Sequence, residues 1–309
     1  TLSFPFRLLL LLLGCALLLF PALGAAPLER AEIYFLDGAR SMVERGDYLV
    51  PYYRGEPFFD KPPLAYWLMA AAFKALGFTP GAARLVSALA TLGVLLATVW
   101  LGSLLFDRRT ALWTASVLAS TLAFVVFGRI AMSDMLLALW TTLAVALAVR
   151  ASSLPRASWA VPALGAVLGL GFLTKGPVAV LLPGLGVLAL GWQRRKQRWP
   201  VSLSSIGLAA LLFALLGLGW FALVFWRLGP GPLEYFFLRE NVQRFAAATY
   251  DAGQPPWFYL ATYLAEGLPW SLFFPLAVWR VWRTPRDRAG AGDFLLLWLS
   301  LMAVPLSLS

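Results

Sequence analysis

The sequence predicts an all-α polytopic membrane protein: a bundle of about nine transmembrane helices with a structured first outer loop of interfacial helices. Three observations predict it. Hydrophobic residues make up 61% of the 309 and charged residues only 13%, about half the charged share of a soluble domain. Apolar runs approach the roughly 20 residues that a helix needs to cross a bilayer. Basic residues collect in short connections between those runs, on alternate loops.

The runs fall near 5–26, 85–106, 111–128, 133–149, 157–173, 176–192, 201–226, 257–279 and 292–309. The first is followed by PALGAAP, which admits a signal-peptide cleavage site; its length favours an uncleaved span. After it, ERAEIYFLDGARSMVERG places Ile33, Leu36, Met42 and Val43 between charges. That pattern suits an amphipathic helix lying along the membrane interface, ended by Gly46. LAYWLMAAAFKALGF at 64–78 is apolar but short and carries Lys74, so a second interfacial or re-entrant helix is expected there. Residues 1–309 are read as a single domain, the front portion of a longer chain, because they start at Thr1 and stop inside an apolar run.

The loops at 107–109, 150–156, 194–198 and 280–288 are basic, which assigns them to the cytoplasm. Residues 27–63, 129–134, 174–177 and 228–256 then share the outer face. Of the 15 acidic residues, seven fall within 29–60, and Asp134, Glu234, Glu240 and Asp251 join them on that face. Chemistry, if present, belongs outside. The net charge of +10 is topological and implies no nucleic acid. Cys15 is the single cysteine, so there is no disulfide framework, and the chain has no histidine. Phosphate-loop, dinucleotide and Cys/His zinc motifs are absent.

Several outer residues admit a structural and a chemical reading. Glu29 and Glu32 are first-turn acids of a helix or a paired catalytic set. In GEPFFDKPPLAYWL, Asp60 and Lys61 form a surface ion pair or a proline-fixed cation for a phosphate. Asp134 caps a helix or acts on substrate, with Arg129 as its partner or a ligand's. Lys175, in FLTKGPVAV, reads as part of a tight turn. Arg239 and Arg244, in FFLRENVQRF, lie outside and so escape the positive-inside explanation; they suit an anionic ligand. Trp257, Tyr259 and Trp270 read as interfacial anchors.

Taken in order, these segments resemble the bacterial membrane glycosyltransferases related to the aminoarabinose transferase of lipid A and, more distantly, protein O-mannosyltransferases. GDYLVP…FFDKPPLAYWL is the specific piece; FLTKGP and RENVQRF support it. The resemblance runs over essentially the whole chain and implies a GT-C fold with its site on the periplasmic face of the inner membrane. It implies transfer of a sugar from a polyprenyl-phosphate (undecaprenyl-phosphate) donor to lipid A, another envelope glycan or a protein. An acidic position just after the first span is catalytic in the family. Glu32 matches the family's Glu, and the Asp position falls on Ala31 or Glu29. With no histidine to serve, the expected base is Glu32, then Asp134, then Glu29. Lys61, Arg239 and Arg244 are expected on the donor phosphate, and Phe58, Asp60, Tyr66 and Asn241 around the substrate cavity. Some members hold a metal through an acid and a histidine; here those positions are Asp60 and Asn241, and no metal or other cofactor is expected. A transporter or flippase for a lipid-linked or anionic solute is the rival class. It would place its charges at mid-membrane rather than at helix ends.

Overall fold

The computed structural model describes residues 2–152, 159–195, 199, 201–243, 257–284 and 290–307. Helices form at each apolar run, with instructive differences in length. The first, α1 (Phe4–Leu19), stops seven residues short of the expected end. Beyond it the backbone is irregular through Glu29, because two arginines from other helices take its carbonyls, as described below.

The amphipathic pattern that follows is α2 (Arg30–Arg45), ended at Gly46 with φ +68°, a left-handed conformation that glycine adopts without strain. A small antiparallel hairpin comes next, β1 (Tyr52–Tyr53) with β2 (Glu56–Pro57). It turns on Arg54 and Gly55, both at positive φ, as tight hairpins require. The Asp37 carboxylate accepts from the Arg54 N–H at 2.8 Å, which fixes the turn to α2. The short apolar stretch is α3 (Leu64–Leu76), 13 residues.

The elements that follow are α4 (Pro80–Leu105), α5 (Arg108–Ala119), α6 (Leu122–Gly128), α7 (Asp134–Ala151), α8 (Ala160–Lys175) and α9 (Val178–Gln193). The expected run at 111–128 is bent by 69° between α5 and α6. There the Ser120 and Thr121 hydroxyls donate to the Ser116 and Val117 carbonyls, competing with the helix's own bonds. The next span is α10 (Leu203–Phe213), π-helical turns at 214–218 and α11 (Gly219–Leu228). A short helix α12 (Gly231–Glu234) leads into a π-helical segment, Tyr235–Gln243. The run expected at 257–279 is broken into Phe258–Glu266 and Phe274–Arg283 around Pro269, and Gly290–Ser307 closes the described chain.

Among the described residues, three helices are long and apolar enough to cross a membrane, and four if α5 and α6 count as one bent span. Among the described residues the chain is a helical membrane protein apart from one hairpin. Its connections sort to two poles. At one, α2, the hairpin, the 129–134 turn, the Lys175–Gly176 turn and the Tyr235–Gln243 segment meet through hydrogen bonds and close packing. At the other, Arg194 donates to the Ser152 hydroxyl, Gln193 to the Gly290 carbonyl, and Trp100 stacks on Trp159. Apolar side chains fill the space between the poles, with Leu95, Met69 and Val145 fully buried.

Candidate active site at the acidic pole

Glu32, in the first turn of α2, is 0% exposed and meets Arg84 of α4. The Arg84 guanidinium grips it in a two-bond fork, Nε to Oε1 at 2.8 Å and Nη2 to Oε2 at 2.7 Å. Oε1 also accepts the Ala131 N–H at 2.7 Å and Oε2 the Glu29 N–H at 2.9 Å. The remaining guanidinium donors go to the carbonyls of Leu23, Ala26 and Pro27, so all five N–H bonds of Arg84 are used. Burial by itself would raise the Glu32 carboxyl, but the Arg84, Ala131 and Glu29 donors outweigh it and hold it below the usual carboxylate range. Glu32, the first expected base, is thus held in a saturated set of contacts. A sealed carboxylate with two donors on each oxygen has no lone pair to offer an acceptor hydroxyl. What it does is pin the 129–133 backbone, through Ala131, to the start of α2. Glu29 stands exposed at the N-cap of that helix.

Arg129 serves the end of α1 rather than Asp134. Its Nη1 donates to the Leu18 and Leu19 carbonyls at 2.8 and 2.7 Å and its Nη2 to Pro21 at 2.9 Å, satisfying the open end of α1. Asp134 opens α7, two residues beyond the turn that Glu32 and Ser87 hold. Its Oδ1 accepts from Lys175 Nζ at 2.7 Å, at the end of α8. Its Oδ2 is shielded yet has no hydrogen-bond partner among the described residues. The two side chains are 33% and 24% exposed, so the pair lies at an edge rather than in the core. Lys175 was read as part of a turn, and it does precede one, with Gly176 at φ +69°; it is also the counter-charge of Asp134.

The Asp60–Lys61 stretch is fixed from both sides. Phe59 is buried towards Trp220, 6.3 Å between centroids, while Phe58 stacks on Tyr34 at 5.6 Å. Pro62 and Pro63 are buried as well. The Tyr235 hydroxyl donates to Asp60 Oδ1 at 2.8 Å; burial and then the adjacent Asp60 carboxylate push that hydroxyl's pKa up. Lys61 Nζ donates to the Asp60 carbonyl at 2.9 Å and lies 3.9 Å from Glu240. Arg239 is exposed, with its guanidinium 5.5 Å from the Tyr235 ring centroid. Asn241 Nδ2 donates to the Phe236 carbonyl at 2.7 Å. Phe236 presses on Gly176 so closely that a Cβ there would lie 2.5 Å from its ring. That contact sets the Tyr235–Gln243 segment beside the Lys175 turn, with Lys61 on one side and Asp134 on the other.

Tyr66 does not line an open cavity: it is 0% exposed, with Phe35 5.3 Å away and room made by Gly38, whose Cβ would meet the Tyr66 ring at 2.7 Å. Arg244 lies outside the described residues. Among those described, no group of three or more His, Cys, Asp or Glu is placed to hold a metal ion, and Asp60 and Asn241 have the partners given above.

A carboxylate with one oxygen unpartnered among the described residues and two nearby lysines thus gather at one pole of a helical membrane body. The chain belongs to the dolichyl-phosphate-mannose-protein mannosyltransferase family, whose pattern matches residues 25–228. It is 34% identical over 283 residues to undecaprenyl phosphate-alpha-4-amino-4-deoxy-L-arabinose arabinosyl transferase 2 of Sodalis glossinidius (strain morsitans), covering 90% of this chain and 50% of that one. The corresponding transferase of Yersinia pestis (strain Pestoides F) is 31% identical over 274 residues, 87% of this chain and 48% of that one. Among solved structures, ArnT from Cupriavidus metallidurans bound to undecaprenyl phosphate superposes with a TM-score of 0.84 at 25% identity, over 97% of this chain and 55% of that chain. The chain spans about half the length of the curated relatives it matches.

Proposed function

We propose that this chain carries the donor-binding and catalytic part of an inner-membrane glycosyltransferase. The enzyme takes a sugar from an undecaprenyl-phosphate donor and gives it to a hydroxyl of an envelope acceptor, lipid A or a protein. The observation that carries this reading is the meeting of three segments at one pole: Lys61 beside Asp60, the Tyr235–Gln243 segment, and Asp134, whose shielded Oδ2 has no hydrogen-bond partner among the described residues. The names of the relatives and the lipid phosphate in the ArnT structure support the same donor class.

In this mechanism the acceptor oxygen attacks the anomeric carbon and the bond from that carbon to the phosphate oxygen breaks. Polyprenyl phosphate leaves with the electron pair, and the acceptor's proton goes to Asp134 Oδ2. Lys175 holds the other Asp134 oxygen, so the carboxylate is aimed while one lone pair stays available. Lys61 and Arg239 stabilise the charge that grows on the phosphate. Glu32 and Arg84 act through the backbone at Ala131, setting the turn that presents Asp134. The acidic pole faces the periplasm, the nine apolar helices or broken helices all cross the bilayer, and the basic loops face the cytoplasm.

Full-length protein in proteoliposomes with a labelled undecaprenyl-phosphate sugar tests this. Label should move to an added envelope acceptor and free undecaprenyl phosphate should accumulate. Donor that only changes leaflet, without glycosyl transfer, would replace the enzyme with a flippase.

A further inference from the structure

A cavity lies away from the acidic pole, between α1 and α5, with a volume of about 450 Å³. Arg7, Leu11, Arg109, Leu112, Trp113 and Ser116 line it. The spacing puts Arg7 and Leu11 on one face of α1, and the other four on one face of α5. The two helices start side by side, since the Arg108 guanidinium sits 5.3 Å from the Phe4 ring centroid. They therefore run in the same direction. Arg7 and Arg109 share the starting end of the groove, and Leu11, Leu112 and Trp113 come a turn deeper. The result is cationic at its mouth and apolar beyond.

No carboxylate lines the cavity. The acid nearest in sequence, Asp107, is used in capping α5: it accepts the Arg109 and Thr110 N–H groups at 2.8 and 3.0 Å and the Thr110 hydroxyl at 2.8 Å. Neither the Arg7 nor the Arg109 guanidinium donates a hydrogen bond to any described residue. Arginines that serve topology alone need only sit in a loop. These two flank a cavity whose floor is aliphatic, with Trp113, 64% exposed, at its rim.

We propose that this groove binds an anionic phospholipid of the leaflet on the basic side. The phosphodiester lies between Arg7 and Arg109, and the upper acyl chains run along Leu11, Leu112 and Trp113 into the bilayer. Two guanidinium forks match phosphate oxygens in geometry and charge, and the aliphatic floor selects a lipid over a free phosphate. The site is separate from the donor site at the acidic pole and does not depend on the reaction proposed there.

The experiment is native mass spectrometry of the full-length protein, purified in detergent and mixed with dioleoyl phosphatidylglycerol or dioleoyl phosphatidylcholine. The wild type should retain phosphatidylglycerol in preference to phosphatidylcholine. The R7A/R109A double variant should lose affinity for it by about tenfold or more, the loss of two charge-assisted contacts. Leu112→Trp, which fills the groove and keeps both charges, should lose it too. Arg195→Ala, which removes a basic-loop charge outside the cavity, should bind as the wild type does. Retention in both cavity variants, or equal loss in Arg195→Ala, would overturn the site. Displacement of the lipid by millimolar glycerol 3-phosphate would overturn the lipid as its occupant.

Discussion

Two carboxylate–cation pairs are linked through the 131–134 turn at the acidic pole, and they differ in almost every respect. Glu32 and Arg84 are sealed, at 0% and 3% side-chain exposure, and with the backbone groups around them they are fully satisfied. Asp134 and Lys175 are partly exposed, joined by a single contact, and leave one carboxylate oxygen without a partner. Saturation is what a structural ion pair needs, because any unmet donor or acceptor in the interior costs free energy. A reactive carboxylate needs the opposite, an oxygen held in place and left open. On the mechanism proposed above, the contrast gives the first pair to architecture and the second to chemistry.

The largest effect short of the reaction itself should come from breaking the sealed pair. Glu32→Gln leaves the Arg84 charge buried without its counter-ion, and a loss of about 3–5 kcal/mol of stability is expected. Denaturant unfolding in detergent would measure it; a stable variant would show that the pair can open. The pH dependence has a definite sign. The folded-state pKa of Glu32 is depressed, so its stabilisation is present above the ordinary glutamate value of about 4.3 and is lost as pH falls from there through the folded value. Wild type should therefore lose more stability than Glu32→Gln on acidification across that window, and parallel curves would refute the depressed carboxyl.

On the other side of the comparison, Lys61→Ala should weaken donor use by about tenfold to a hundredfold, the worth of one charge-assisted hydrogen bond, with unfolding little changed. Donor titration of turnover checks it, and native donor dependence would return Lys61 to a surface role. A smaller effect belongs to Tyr235→Phe, which frees Asp60 from the 2.8 Å bond that ties the two donor segments together. Donor KM should rise by about twofold to tenfold. An unchanged KM would mean that the tie does not shape the site.

The sequence made the helices, the amphipathic α2 and its Gly46 stop legible, because periodicity and a left-handed glycine are local signals. Lys61 and Asp134 stood out for the company they keep. Arg84 was missed, although one charge inside an apolar span is itself a sign of a buried partner. Its partner lies 52 residues away in sequence, and nothing local names it. Arg129 was misread for the same reason: the carbonyls it serves are more than 100 residues distant. Tyr235 gave no signal of its own, since an aromatic near a membrane edge usually anchors. The hairpin also escaped, being two residues a side and centred on a turn that Arg54 enters at positive φ.

The most direct test of the division between the two pairs is turnover per folded molecule in Asp134→Asn, measured beside Glu32→Gln on protein selected for correct folding. Removing a general base costs about 10²- to 10⁴-fold in rate. Asp134→Asn should lose that much while unfolding near the wild-type midpoint, and folded Glu32→Gln should keep a far larger share of its rate. Near-native turnover in Asp134→Asn, with the folded Glu32→Gln inactive, would reverse the assignment and return the proton to Glu32.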